Sequence, residues 1–196
     1  MKNLLIFTVI ALFGFAPIKA QNINFGAKAG VNFATITGDM VESFDSRTAF
    51  HVGFVAEIVI SETFSFQPEL LYSAQGAKES GDGWEETLKL DYFNLPLMAK
   101  FYVAEGFSLE AGPQIGFLLS AKYDWEEDGE SGSEDIKDDV KGIDFGLNLG
   151  VGYKTESGLN FGARYNLGLS DINDMDDDGD FSIKNSVIQA YVGFFF

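Results

Sequence analysis

The sequence has no cysteine, four prolines, one histidine, and 13 Lys and Arg against 30 Asp and Glu. Without a thiol there is no disulfide, no thiolate-held metal and no cysteine nucleophile. The shortage of cations gives a formal net charge of −17. That charge repels phosphates and argues against nucleic acid as a partner. Long apolar runs are equally scarce. Beyond the first twenty residues nothing approaches the roughly twenty consecutive apolar side chains of a membrane-spanning helix. A membrane role must therefore rest on strands.

The one apolar run lies at the start. Lys2 precedes an apolar segment over residues 4–15, Pro17 breaks it, and Ala20 offers a small residue before Gln21. The run is only about twelve residues, too short to span as a helix. The pattern is that of a cleaved export signal over residues 1–20, followed by one domain over residues 21–196. No cysteine follows the run, so no lipid anchor is expected there.

What the chain does have is glycine (22) and phenylalanine (20). They fall into short segments of alternating polarity, as in β-barrels. The C-terminal segment 186–196, SVIQAYVGFFF, is the plainest case. Ile188, Ala190, Val192, Phe194 and Phe196 share one face of a strand, because successive side chains point to opposite sides. Alternation predicts seven further strands, over residues 22–36, 49–60, 64–77, 88–103, 107–125, 143–154 and 159–170. Connections at 61–63, 104–106 and 155–158 are tight. Those at 37–48, 78–87, 126–142 and 171–185 are long. Short turns at one end and long loops at the other predict an eight-stranded antiparallel up-and-down transmembrane β-barrel, with its turns in the periplasm.

A soluble barrel that binds a ligand inside is the competing architecture, with its apolar face inward. Here one face is nearly unbroken Phe, Leu, Ile, Val and Ala. The other is rich in Gly, Asn, Ser and Gln and poor in Lys and Glu, which suits a narrow lumen better than a solvated exterior. The fifth strand is expected to send Leu119, Ala121 and Tyr123 to lipid, and Ser120 and Lys122 to the lumen.

The segments FGAKAGVNFATI, FSFQPELLYSAQGAK, FNLPLMAKFYV, FSLEAGPQIGFLLSAK, DFGLNLGVGY and GLNFGARYNLGL resemble the PorT-like "porin family" of outer-membrane β-barrels common in Bacteroidota. The resemblance spans nearly the whole chain after residue 20. It implies an outer-membrane barrel and specifies function poorly.

Parity places Lys28, Lys100, Lys122, Lys154 and Arg164 in the lumen, facing Glu57, Glu69, Glu110 and Asp144. Hairpin counting sets Lys100 directly across from Glu110. Unpaired charge in a poorly hydrated lumen is costly. A charge network of Lys28, Glu57, Glu69, Lys100, Glu110 and Arg164 filling the lumen is therefore expected. His51 also faces inward, with Ser73 and Ser120 at outer strand ends, but no serine–histidine–acid motif is recognisable. Acid concentrates in the long loops. In DINDMDDDGDFSIKN, Asp174, Asp176 and Asp178 followed by Gly179 fit the opening of a calcium loop, with Asp180 beside them. The position for a bidentate Glu is Asn185, so the signature is partial and a solvated acidic loop is the alternative.

The expected protein is a monomeric, non-enzymatic barrel of the bacterial outer membrane, with a membrane-structural or surface-binding role. No cofactor is expected beyond weakly bound calcium. Expected partners are outer-membrane lipid and lipopolysaccharide, and the barrel-assembly machinery through segment 186–196. A small-solute or ion channel, a secreted lipocalin-like binding barrel and a lipid-modifying outer-membrane enzyme are the alternatives.

Overall fold

The computed structural model describes residues 23–38, 45–175 and 182–196. Its strands are β1 (Ile23–Gly38), β2 (Arg47–Ser61), β3 (Phe64–Gly81), β4 (Trp84–Ala104), β5 (Phe107–Glu127), β6 (Glu130–Asp135), β7 (Ile143–Lys154), β8 (Leu159–Gly168) and β9 (Ile183–Phe195). Each long strand pairs antiparallel with its neighbour, and β9 returns to pair with β1. This closes an eight-stranded ring, with β6 added outside it on β5. Closure leaves the wall no open sheet edge, which hydrocarbon requires of any spanning sheet.

The two faces divide as the alternation predicts. Phe25, Phe54, Phe117 and Phe161 point outward and are 61, 68, 41 and 46 % exposed. Glu57, Lys100 and Arg164 point inward and are at most 2 % exposed. Such an apolar exterior is costly in water and favourable against lipid tails. A lipocalin-like arrangement would show the reverse.

The barrel wall is taller on one side than the sequence suggests. Residues 78–87 form no loop: β3 and β4 stay paired to Gly81 and Trp84, around a turn in which Gly83 takes φ +85°. Much of 126–142 is also ordered into a hairpin, in which β6 pairs with β5 around Asp128 and Gly129. Both turn residues have positive φ, the geometry of a two-residue hairpin turn that favours Asp-Gly. The Asp-Gly pairs at 82–83 and 128–129 are the local signals for these hairpins. Strands β3 to β6 thus continue as a four-stranded extension beyond the end bearing the long connections, the extracellular end.

A bulge decides which way the outer end of β5 faces, while β3 and β4 carry their lumen parity into the extension unbroken. Tyr92 pairs with Leu118, but Asp91 pairs with Ser120, so Leu119 is an extra residue on β5. A residue inserted into one strand resets its alternation and re-aims the side chains beyond it. Ala121 is therefore buried and Tyr123 turns inward, while Lys122 is exposed on the outer face. The expectation that Ala121 and Tyr123 meet lipid and that Ser120 and Lys122 enter the lumen is corrected by this one residue.

Candidate functional site

The lumen is filled in layers. Its central layer is built from one inward side chain on each of several strands. Arg164 on β8 reaches across to β3 and forks onto Glu69, with Nη1 donating to Oε2 at 3.0 Å and Nη2 to Oε1 at 2.9 Å. The same Nη2 donates to Glu110 Oε2 on β5 at 3.0 Å. Lys28 on β1 donates to Glu69 Oε2 at 2.8 Å. Lys100 on β4 lies 3.2 Å from Glu110 Oε1 and donates to Gln67 Oε1 at 3.3 Å. Gln67 Nε2 and the Tyr191 hydroxyl supply further bonds, to Glu69 at 2.7 Å and Glu110 at 3.1 Å. Both oxygens of each carboxylate are thereby engaged. A carboxylate removed from water is stable only when its lone pairs are satisfied in this way.

Small residues make room for this layer. A Cβ on Gly152 would lie 2.5 Å from Glu110 Oε1 and 3.0 Å from the Tyr191 hydroxyl. One on Gly162 would lie 2.6 Å from that hydroxyl. The Tyr191 ring stacks beneath two cations, with Lys28 Nζ 4.3 Å and Arg164 Cζ 5.6 Å from its centroid.

Toward the short turns lies a second cluster, in which Glu57 accepts hydrogen bonds from Lys154 and from the Tyr102 hydroxyl. Toward the long connections charge gives way to amides. Asn32 donates to Ser73 Oγ at 3.0 Å and to the Ala74 carbonyl at 2.7 Å. Its own Oδ1 meets His51 Nδ1 at 2.7 Å and accepts from Gln189 at 3.0 Å. His51 and Ser73 are thus joined through an amide, with both side chains buried in the lumen. Asp144 accepts from Ser170 at 2.7 Å and Asn185 at 2.9 Å. Above these, Leu90, Tyr92, Leu118, Ala121, Val140 and Ile172 form an apolar cap. The cap is held down by backbone bonds from Lys141 to Ile172 and from Ile172 to Ile183, both 2.9 Å.

Of the residues singled out from sequence, Lys28, Glu69, Lys100, Glu110 and Arg164 meet in one cluster, and Glu57 sits in a separate one with Lys154. Ser120 is half-buried beside the bulge. Asp174 donates its backbone N–H to Asp139 at 2.9 Å. Asp176, Asp178 and Asp180 lie outside the described residues, as does the export signal. Sequence reasoning overlooked Tyr102, Tyr191 and Gln67 as partners. Gln67 and Tyr102 share the lumen parity of Glu69 and Lys100 two residues away, and Tyr191 that of Gln189, which was the available signal.

A closed antiparallel sheet, apolar outside and charged within, defines a transmembrane β-barrel of the bacterial outer-membrane kind. Comparison with known proteins makes the assignment specific. Residues 19–174 match the family described as "Outer membrane protein beta-barrel domain", and the chain belongs to that family. Among solved structures it is similar to Ail, the attachment invasion locus protein of Yersinia pestis. There the TM-score is 0.51 at 13 % identity, over 87 % of this chain and 98 % of that one. It is also similar to Neisserial surface protein A, with a TM-score of 0.48 at 16 % identity over 89 % and 97 % of the two chains. At such identities the likeness to Ail is one of fold. No curated protein matches the chain.

Proposed function

We propose that this is a non-enzymatic outer-membrane barrel with a closed, non-conducting lumen, whose role is to stabilise the membrane or to bind at the cell surface. The observation that carries the reading is Arg164, which ties Glu69 of β3 to Glu110 of β5 across the lumen. Eight strands leave an interior little wider than its own side chains. An open water path would have to break this layer and lift the apolar cap. Purified protein in planar bilayers should show no steady conductance at moderate voltage. A stable open channel would overturn the proposal.

Finer readings belong to the same proposal. The PorT-like resemblance of the strand segments supports a Bacteroidota-type member of the family. Export by a cleaved signal over residues 1–20, and recognition of segment 186–196 by the barrel-assembly machinery, fit a chain of this family. The acid of the long connections suits a divalent cation shared with lipopolysaccharide phosphates, with Asp174, Asp176, Asp178 and Asp180 as its ligands. Calorimetric titration with calcium tests that site, and absence of heat removes it.

A further inference from the structure

The extension formed by β3 to β6 has two faces of different character. Cross-strand partners share a face, so the register sorts the residues. The outer face carries Lys78, Lys89 and Lys122 among its acids. Lys78 pairs with Glu85 at 2.6 Å, and Lys89 pairs with Asp124. The inner face continues the lumen face of β3 and β4, is joined in phase by β5 through the Leu119 bulge, and carries Glu79, Glu86, Glu127, Glu130 and Glu134. Among the described residues of the extension it has no Lys or Arg.

That inner face is also aromatic. It holds Trp84 and Trp125, the chain's only two tryptophans, with Tyr123 next to Trp125 on the barrel side. Each indole covers a cross-strand glycine: a Cβ on Gly81 would lie 2.4 Å from Trp84, and one on Gly132 would lie 2.5 Å from Trp125. The rings are thereby held in the sheet beside a cleft of about 420 Å³, lined by Trp84, Glu86, Tyr123, Trp125, Glu126 and Glu127. Burial and the neighbouring Glu86 and Glu79 push the Tyr123 phenol up to about 12. Glu79 stands directly opposite Glu86, and Glu127 opposite Glu130. Like charges placed this way destabilise a sheet. Acid that served only to protect an exposed sheet from aggregation would not need tryptophans beside it.

We infer that the inner face of the β3–β6 extension is a docking surface for a basic peptide segment, whose Arg and Lys side chains stack on Trp84 and Trp125 and pair with Glu79, Glu86 and Glu127. Charge complementarity selects the occupant: cations over aromatic faces, flanked by carboxylates, are attracted by both. The spacing favours a peptide over a small amine. Alternate residues of an extended chain lie roughly 6.8 Å apart, as do successive side chains along this face. The chain's own segments 39–44 and 176–181 contain no Lys or Arg, so neither supplies the cations. The inference rests on the surface-binding reading above and specifies its partner.

The full-length protein in zwitterionic nanodiscs, titrated with nona-arginine, tests it. Both tryptophans lie in the site, so their emission reports occupancy directly. A saturable change is expected, reversed by raising salt. Glu86→Gln with Glu127→Gln should weaken binding at least tenfold. Asp138→Asn with Asp139→Asn removes equal charge outside the face and should change it less than twofold. Glu79→Gln with Glu130→Gln is the second variant, should the first fail to give the heat-modifiable mobility of a folded barrel. Three results would overturn the inference. One is no saturable change with the unaltered protein. Another is equal weakening by the on-face and off-face variants, which would assign the effect to diffuse acidity. The last is binding of free arginine amide as strong per guanidinium as that of the peptide. None of these bears on conductance, so the closed lumen stands or falls separately.

Discussion

Glu69 is shared by two cations, and that sharing makes the cost of removing charge from the lumen unequal. Replacing Glu69 with Gln leaves Lys28 buried with no carboxylate in contact, beside the positive Arg164. It also removes the anionic half of the fork from Arg164, though Glu110 remains within 3.0 Å of Nη2. Breaking a buried pair so that one charge is stranded costs about 3–5 kcal/mol. Replacing Lys28 with Met instead leaves Glu69 held by both guanidinium nitrogens and by Gln67. No charge is stranded, and the cost should be roughly that of one charge-assisted hydrogen bond, about 1.5–3 kcal/mol, reduced by the added apolar packing. Combining Lys28→Met with Glu69→Gln should cost clearly less than the sum, because the stranded ammonium is gone. The assay is reversible denaturant unfolding of the barrel in lipid vesicles, followed by tryptophan emission. Equal costs for the two single variants, or strict additivity in the double, would refute the claim that Glu69 is the shared anion of this layer.

Other consequences can be checked on the same preparation. Leu149 is half-exposed at the level of Arg164 on the outer wall, so Leu149→Arg should cost about 2–4 kcal/mol, while Leu169→Arg near the barrel end should cost about 0–1. Equal costs would place the lipid belt elsewhere. Gly152→Ala should destabilise by about 1–3 kcal/mol through its contacts with Glu110 and Tyr191. Gly142→Ala, with open space around it, should be near neutral by the same unfolding measurement. In the extension, hydrogen bonds from Lys89 and Ser133 hold the Asp124 carboxyl below its ordinary value of 3.8. A depressed carboxylate contributes stability above its ordinary value and loses it as pH falls through the folded value. Lys89→Met should therefore raise the Asp124 titration midpoint, followed by carboxyl-carbon NMR, and an unmoved midpoint would remove Lys89 as the cause.

Much of this molecule is legible from the strict period of its strands. A wall with lipid on one side and a crowded lumen on the other leaves little freedom of parity. Phe54 and Glu57 therefore sort correctly from sequence alone, and hairpin counting alone set Lys100 opposite Glu110, the pairing the register shows. Depth is harder. Which lumen charges meet depends on the strand tilt and stagger of the closed ring, which no single segment encodes. Arg164 meeting Glu69, 95 residues away, is such a case.

The bulge is a different kind of blind spot. Leu119 looks like one more lipid-facing residue in the series Phe117, Leu119, Ala121, and nothing local marks it as supernumerary. Its effect is confined to the outer end of β5, where Tyr123 and Trp125 exchange the outside of the barrel for the inside. Below the bulge, alternation serves the membrane: aromatic residues outside, charge paired within. Above it, the same alternation continues out of phase, and aromatic residues come to lie inward beside carboxylates that no cation of that face offsets. In hydrocarbon that arrangement would be costly, because buried acids need compensating charge. It is tolerable only where water reaches it. A single inserted residue thus divides one continuous strand into a part that answers to lipid and a part whose inward face is left to answer to something else.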